Sequence, residues 1–330
     1  MNTVLTELLT GLRLTDPQRS KHIAVFPLFT ALNHSPQYLT LVEALAQRLL
    51  TVTEVSVGGS VPELRVTNQA AQPVLLLDGE EVCGAKQNRV LNTSLLIPAG
   101  KPLDVPVSCT EQGRWSYVSP AFSTSGHVMH ASLRGCKTRS VTKNLAADSG
   151  FASDQGEVWQ GITEMACELA VGESKTGALR DVFEAKQTDI DAALQSFPLL
   201  PQQRGILVLI NGEPVGFDYV SLAPAFAQLH GKLVRSYVLD ALARKPKRAK
   251  SLAAVRATAH AFLAEAGACA EQQFKSIGLG ADHRCKAPGV AGSALVHEQA
   301  VIHTAFFRVD EKEQAGHMSD SNHRRNFRVY

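Results

Sequence analysis

Two short polar segments of the sequence carry the residue types that acid–base chemistry and anion binding require. The first, residues 80–89 (EEVCGAKQNR), lies between the apolar runs 75–77 and 95–97, and the second comprises residues 108–115 (SCTEQGRW). A hairpin turn needs only about two to five residues, so the first segment holds more functional groups than turning requires. We therefore predict that these side chains face a ligand.

The charged and aromatic residues of both segments suit an anionic, planar ligand. Arginine binds phosphate through two parallel hydrogen bonds, lysine adds a compact charge, and tryptophan offers a face on which a base stacks. A carboxylate among cations stays ionised, whereas one pressed against an aromatic ring and deprived of water holds its proton. The predicted catalytic residues are Glu80, Glu81 and Glu111, and the predicted ligand-binding residues are Lys86, Gln87, Asn88, Arg89, Arg114 and Trp115. The alternative is a solvated face with weak ion pairs and ordinary turn chemistry.

Outside these segments the chemical signals are weaker. Asp154 and Gln155 open a predicted helix, whose free N–H groups attract phosphate, so both residues join the predicted ligand set, although capping alone explains them. His127 and His130 could lie on one side of a helix, but no third ligand is evident, and we predict no metal and no cofactor. Cys109 is the best candidate nucleophile among six cysteines, against the alternative of a small buried residue.

The composition excludes several classes of protein. The 330 residues are 45% hydrophobic and 19% charged, which is ample material for a core, and the net charge of +2 implies no polyanionic partner. The basic stretch 244–250 lacks interleaved aromatic residues, so nucleic acid is not favoured as a partner. No apolar run is long enough to cross a membrane, and we expect a cytoplasmic protein with no membrane partner. The oligomeric state stays open.

Hydrophobic periodicity predicts the elements that position these residues. Residues 2–13 and 38–50 have helical spacing, residues 22–29 read as a strand stopped by Pro27, and the period falls to two between residues 51 and 109. Several short strands at this spacing predict an antiparallel sandwich or roll.

The second half of the chain is predicted to be mainly helical. Helical patterns cover residues 154–170 and 178–197, followed by a hairpin with a turn at Asn211–Gly212 and then by two more helices. We predict a single α+β domain over residues 1–310. Its parts are a β-rich region (20–120), a mainly helical region (150–270), a closing strand pair (290–308) and a polar, weakly ordered tail (311–330).

At these residues the sequence resembles a bacterial protein family named for its association with ADP-ribosylglycohydrolases and the rhodanese-phosphatase superfamily. The resemblance covers roughly residues 15–310. The motifs that carry it are LTVTEV and GSVPELRVTN, VLLLDGEEVCGAKQNRVLNTSLLIPAG, VPVSCTEQGRW, SDQGEVW, INGEPVGFD with KLVRSY, and GLGADHR. The family name implies a link to NAD-derived ADP-ribose, without an established reaction that assigns catalytic roles.

Together these observations lead to a functional hypothesis with two alternatives. We expect the protein to bind a small phosphate-bearing nucleotide related to NAD or ADP-ribose. In a sharper form it hydrolyses a ribosyl bond, with Glu81 or Glu111 as general acid or base, following the two-carboxylate logic of glycoside hydrolysis. The alternatives are a non-catalytic nucleotide sensor and a structural or interaction protein.

Overall fold

Helices and antiparallel sheets are both abundant in the chain, which confirms the predicted α+β class. The structure, a computed structural model, describes residues 2–172 and 174–309, so the predicted tail lies outside the described residues. The described helices are α1 (Thr3–Gly11), α2 (Leu41–Ala46), α3 (Ala131–Ala146), α4 (Gln155–Glu168), α5 (Leu179–Ala185), α6 (Gln187–Leu194), α7 (Ala223–Ala243) and α8 (Leu252–Gly267).

The described strands fall into two large sheets and one small sheet. The strands are β1 (Arg13–Leu14), β2 (Gln18–Ser20), β3 (Ile23–Phe29), β4 (Leu39–Thr40), β5 (Leu50–Glu54), β6 (Glu63–Asn68), β7 (Val74–Leu76), β8 (Glu80–Gly84), β9 (Arg89–Leu91), β10 (Leu95–Ile97), β11 (Leu103–Cys109), β12 (Phe122–Val128), β13 (Gly205–Ile210), β14 (Glu213–Val220), β15 (Ala270–Lys275), β16 (Ala281–Ala287), β17 (Val290–His297) and β18 (Ala300–Arg308).

The first large sheet curls into a half-barrel. Its six strands run in the order β12-β8-β9-β11-β6-β5, and the two edge strands, β12 and β5, contact each other. Side chains alternate between the two faces of a strand, and the apolar ones on the concave face form a core of their own, which includes Leu64, Val82, Leu91 and Val107. The half-barrel therefore has an interior that is filled with apolar side chains along most of its length.

The second large sheet joins strands from both ends of the chain. Its main path is β1-β3-β13-β14-β18-β17-β16-β15, with β2 also paired to β3. Helices α1 and α8 cover one face, whereas α3 and α7 pack against the other. Helix α7 contacts both this sheet and β12 of the half-barrel, so helices from the middle of the chain lie between the two sheets.

Buried ion pairs connect the half-barrel to the second sheet. Arg134 of α3 donates two hydrogen bonds to the Asp218 carboxylate, at 2.6 and 3.1 Å, and Tyr237 donates a third at 2.8 Å. Lys137, one turn further along α3, donates to Asp78 between β7 and β8. These side chains are almost fully buried, and each charge has a partner of opposite sign, which offsets the cost of removing it from water.

Local sequence explains where the structure differs from the predicted elements. The predicted helix 38–50 shortens to α2, because Thr40 and Glu43 form a capping box and β5 begins at Leu50. Pro27 lies within β3 instead of ending it. Helix α3 was not predicted, because its buried face contains Arg134 and Lys137 instead of a purely apolar stripe.

The predicted hairpin of β13 and β14 is present. Asn211 and Gly212 have φ values of 56° and 75°, which is the left-handed pair that a tight hairpin turn requires and that asparagine and glycine tolerate.

Candidate functional site

One end of the half-barrel brings the two predicted polar segments together. Strand β9 pairs with β8 on one side and with β11 on the other, so that Arg89 lies opposite Val82 and also opposite Cys109. The loops that follow β8 and β11 therefore lie side by side. Residues 86–89 and 111–115 contact each other there through several hydrogen bonds.

Four of the predicted residues, Gln87, Asn88, Glu111 and Arg114, form a hydrogen-bonded group that we call the rim cluster. Arg114 Nη2 donates to Glu111 Oε2 at 2.6 Å and to Asn88 Oδ1 at 3.1 Å, and the Asn88 backbone N–H donates to Glu111 Oε2 at 3.2 Å. Burial tends to raise the pKa of Glu111, but the hydrogen bonds from Arg114 and Asn88 outweigh it and hold that pKa below its usual range. Glu111 is thus ionised and fixes the position of Arg114.

Arg89 lies inside the half-barrel with part of its guanidinium unpaired. Its Nη1 donates to the Gln87 backbone oxygen at 3.1 Å, to Gln87 Oε1 at 2.9 Å and to the Asn88 backbone oxygen at 3.3 Å. Its Nε and Nη2 are buried and have no hydrogen-bond partner among the described residues. Burial lowers the pKa of Arg89, although an arginine remains charged. Unpaired N–H groups on a buried cation are costly, so this position suits an anion.

The Trp115 ring lies over Arg89, and the Trp115 and Tyr117 rings both lie near Lys86. The Arg89 guanidinium carbon is 5.5 Å from the centroid of the Trp115 ring, and Lys86 Nζ is 5.4 Å from Trp115 and 5.2 Å from Tyr117. Trp115 and Tyr117 are 47% and 48% exposed. Most of the exposed large hydrophobic side chains in the described chain lie in two loops. Trp115, Tyr117 and Val118 lie in the loop after β11, and Val57 and Val61 lie in the loop after β5.

Glu54, which the sequence analysis missed, completes this end of the half-barrel. It is the last residue of β5 and lies on the same face as Val52, which faces the half-barrel interior. Its Oε1 accepts the Lys86 backbone N–H at 3.3 Å, whereas its Oε2 is buried without a hydrogen-bond partner in the described chain. We call Glu54, Gly59, Lys86, Arg89, Trp115 and Tyr117 the mouth cluster. The signal for Glu54 was present in the sequence, since a carboxylate occupies a position where the period of two predicts an apolar residue.

Glu81 faces away from the mouth cluster. In the pairing of β8 with β9, Glu81 lies opposite Val90, whereas Arg89 lies opposite Val82, so Glu81 and Arg89 project from opposite faces of the sheet. Thr110 donates to Glu81 Oε1 at 2.6 Å, and Oε2 is buried without a hydrogen-bond partner in the described chain. Complete burial raises the pKa of Glu81 to about 7, although the Thr110 and Ser125 hydroxyls partly oppose this effect.

An irregularity in β12 lies next to Glu81. Thr124 pairs with Val82 and Val128 pairs with Glu80, so three residues, Ser125 to His127, stand opposite Glu81 alone. Such bulges redirect side chains and are common beside active sites. The His127 ring stacks on Phe183 at 4.4 Å between centroids, and burial together with the nearby cation of Arg235 lowers the pKa of His127 to about 4.

The remaining predicted residues lie elsewhere. Glu80 forms a buried ion pair with Lys232 of α7, at 2.6 Å, and so joins the half-barrel to the helices. Asp154 caps α4, and the Gln155 side-chain amide pairs with the backbone of Cys109 at 2.7 and 2.8 Å. Asp154 also lines a cavity of about 830 Å³ between α3 and β16–β17, which is lined by none of the mouth residues.

The described chain offers little for a metal or a cysteine nucleophile. Among residues 2–172 and 174–309, no group of three or more His, Cys, Asp and Glu side chains is arranged to hold a metal ion. Cys109 is buried beside Arg89, and burial raises the pKa of its thiol, which disfavours the reactive thiolate.

None of the helices in residues 2–172 and 174–309 has the length and apolar character that crossing a bilayer requires.

Comparisons with known proteins give one result. The sequence model of the ARG and Rhodanese-Phosphatase-superfamily-associated Protein domain matches residues 11–307, which include the rim cluster and the mouth cluster. No similar curated protein and no similar solved structure was found.

Proposed function

We propose that this chain, which belongs to the family of ARG and Rhodanese-Phosphatase-superfamily-associated Protein domains, binds a phosphate-bearing nucleotide at the mouth cluster. The nucleotide is related to NAD or ADP-ribose, a class suggested by our interpretation of the family name. A cytoplasmic location, where such nucleotides are available, forms part of the proposal.

One observation carries the proposal. Arg89 is fully buried, yet its Nε and Nη2 have no hydrogen-bond partner among the described residues. These two N–H groups lie on one edge of the planar guanidinium, and that edge matches two oxygens of a phosphate. A bound phosphate would accept hydrogen bonds from both N–H groups. Because these groups lack partners in the free protein, the new hydrogen bonds would contribute favourably to the free energy of binding.

The surroundings of Arg89 fit the other parts of a nucleotide. Lys86 brings a second cation to the same place, and its Nζ donates to the Gly58 backbone oxygen at 2.6 Å. Trp115 and Tyr117 are half exposed and present ring faces on which a base can stack, an interaction that contributes about 1–3 kcal/mol per base in proteins that bind single-stranded nucleic acids.

The proposal is tested by asking what the purified chain retains. We would incubate it with a pool of NAD, ADP-ribose, ADP and AMP, separate the protein from free ligand and identify retained molecules and products by mass spectrometry. Retention of one component by the wild-type chain, with loss of retention in Arg89→Met, supports the proposal. No retention of any component contradicts it.

A second candidate function, hydrolysis of a ribosyl bond, is favoured by the unequal protonation of two carboxyls. Glu81, with a pKa of about 7, keeps a proton to donate near neutral pH, whereas Glu111 is ionised. Glu81 would act as the general acid and Glu111 as the general base. However, Glu81 lies on the opposite face from Arg89, so the geometry supports binding better than cleavage.

Turnover separates the enzyme from its alternatives. If the chain is a hydrolase, Glu81→Gln and Glu111→Gln each abolish product formation without unfolding the protein, and the exposed control Glu63→Gln does not. Retention without any product supports a nucleotide sensor. If the chain neither retains a nucleotide nor forms a product, the result supports a structural or interaction protein.

A further inference from the structure

Glu54 and Arg89 belong to the same mouth cluster but do not form an ion pair. Arg89 keeps two unpaired donors, Nε and Nη2, and Glu54 keeps one unpaired acceptor, Oε2. The Glu54 charge is near enough to raise the pKa of Arg89 in part, yet within the described chain no hydrogen bond joins the two side chains. Two buried groups of opposite charge that each keep unpaired polar atoms call for an explanation, and a third partner that meets both would supply one.

Gly59 lies directly against the Glu54 carboxylate and the Trp115 indole. A Cβ atom at Gly59 would lie 3.4 Å from Glu54 Oε2, 3.3 Å from Trp115 Cζ2 and 3.1 Å from Lys86 Cδ. Gly59 also has a φ of 76°, which a residue with a side chain adopts only at a cost. Glycine at this position therefore lets the backbone pack closely against the carboxylate and the indole, where a side chain would displace one of them.

The unpaired groups define what the ligand must offer. Nε and Nη2 of Arg89 require acceptor oxygens, and Oε2 of Glu54 requires a donor. A phosphate supplies the first, but it would be repelled by Glu54 unless a donor group of the same ligand meets the carboxylate. A ribose phosphate has both, because its hydroxyls lie within a few bonds of the phosphate, and acidic side chains bind ribose hydroxyls in other nucleotide sites.

We propose that Glu54 accepts a hydrogen bond from a ribose hydroxyl of the bound nucleotide and thereby selects ribose over sugars that lack this hydroxyl. This inference rests on the proposed function, since it assigns a specificity role within the same mouth cluster. A ligand without the hydroxyl leaves the buried carboxylate unpaired beside a phosphate, and such unpaired polar groups give stronger discrimination than a change in apolar contact.

The test compares ADP with 2′,3′-dideoxyADP by calorimetric titration of the wild-type chain, Glu54→Met, Glu54→Gln and the exposed control Glu63→Gln. The wild-type chain and the control should prefer ADP by about ten- to hundredfold, as expected for a hydrogen bond to a charged group. Glu54→Met should bind both ligands within about threefold of each other, since the acceptor is gone. Glu54→Gln keeps an acceptor oxygen and should retain part of the preference. Thermal melting confirms that each variant is folded.

The outcomes of these titrations separate the role of Glu54 from nucleotide binding itself. Equal binding of both ligands by the wild-type chain, or an unchanged preference in Glu54→Met, overturns the role of Glu54 while nucleotide binding stands. If Glu54→Met binds both ligands more tightly than the wild-type chain binds ADP, Glu54 is an internal competitor for Arg89, and the role is again overturned. If the wild-type chain is folded but binds neither ligand, the proposed nucleotide function fails and this inference fails with it.

Discussion

The guanidinium of Arg89 lies beneath the indole of Trp115, with 5.5 Å between the guanidinium carbon and the ring centroid. Arg89 is fully buried, whereas Trp115 is 47% exposed, so the ring separates the cation from solvent. Together with the unpaired Nε and Nη2 of Arg89, this arrangement places a cationic group beneath a half-exposed aromatic ring. A nucleotide would have to displace the indole or stack against it, and either event changes the environment of Trp115.

Trp115 should therefore report ligand binding through its fluorescence. The chain has two tryptophans, Trp115 and Trp159, so Trp159→Phe leaves Trp115 as the only one. We expect its emission to change saturably as ADP-ribose is added, because a base stacked on the ring replaces solvent. The matched variant Trp115→Phe retains only Trp159, on α4, and should show no change. An equal response of both variants would contradict the placement of the ligand.

The buried carboxyl of Glu81 should make stability depend on pH in a defined direction. Its pKa is about 7 in the folded chain against 4.5 in the reference state, so the folded chain binds more protons between these values. The free energy of unfolding therefore falls as pH rises from about 4.5. The contribution of Glu81, on the order of 3 kcal/mol, is fully lost above about pH 7.

Glu81→Gln should remove this dependence. Urea unfolding at pH 5 and pH 8 would compare the variant with the wild-type chain, and the variant should gain stability relative to wild type at pH 8. The exposed control Glu63→Gln should show no such gain. A difference between Glu81→Gln and wild type that stays constant from pH 5 to 8 would show that Glu81 titrates normally.

The buried ion pairs of α3 should be far more important for stability than ion pairs on the surface. Arg134→Met leaves Asp218 buried with its main cation removed, and we expect a loss of about 3–5 kcal/mol in the free energy of unfolding. The control Arg65→Met removes an exposed pair with Asp104 and should cost about 1 kcal/mol or less. Equal effects in urea unfolding would mean that the buried pair is not the connection between the sheets that its geometry indicates.

Much of the fold and part of the site could be predicted from the sequence. The period of two between residues 51 and 109 identifies β-strands, and the two polar segments meet because they flank the paired strands β9 and β11. The sequence could not show on which face each side chain lies. Glu81 and Arg89 were grouped in one predicted site, yet the register of β8 with β9 directs them to opposite faces, and a shift by one residue would reverse that outcome.

Other features depended on contacts between distant parts of the chain. Glu54 is 32 positions from Lys86, and only the curling of the half-barrel brings its carboxylate to the Lys86 backbone. Strands β15 and β16 were not predicted, and β16 contains Asp282 and Arg284. Both residues are buried in β16, where they pair with each other and with Thr93. Buried charges of this kind conceal a strand from any pattern that relies on hydrophobic periodicity.

The most direct test of the account is a calorimetric titration of ADP-ribose into the wild-type chain, Arg89→Met and the surface control Arg65→Met. We predict that Arg89→Met weakens binding by about tenfold or more, since it removes hydrogen bonds from a charged donor. The free energy of unfolding of Arg89→Met should change by only about 1 kcal/mol. The variant loses the hydrogen bonds of Nη1, but it also loses the cost of burying a partly unpaired cation. Arg65→Met should bind as the wild-type chain does. Equal affinity of Arg89→Met and wild type, or no binding of ADP-ribose by the wild-type chain, would contradict the assignment of the mouth cluster as a nucleotide site.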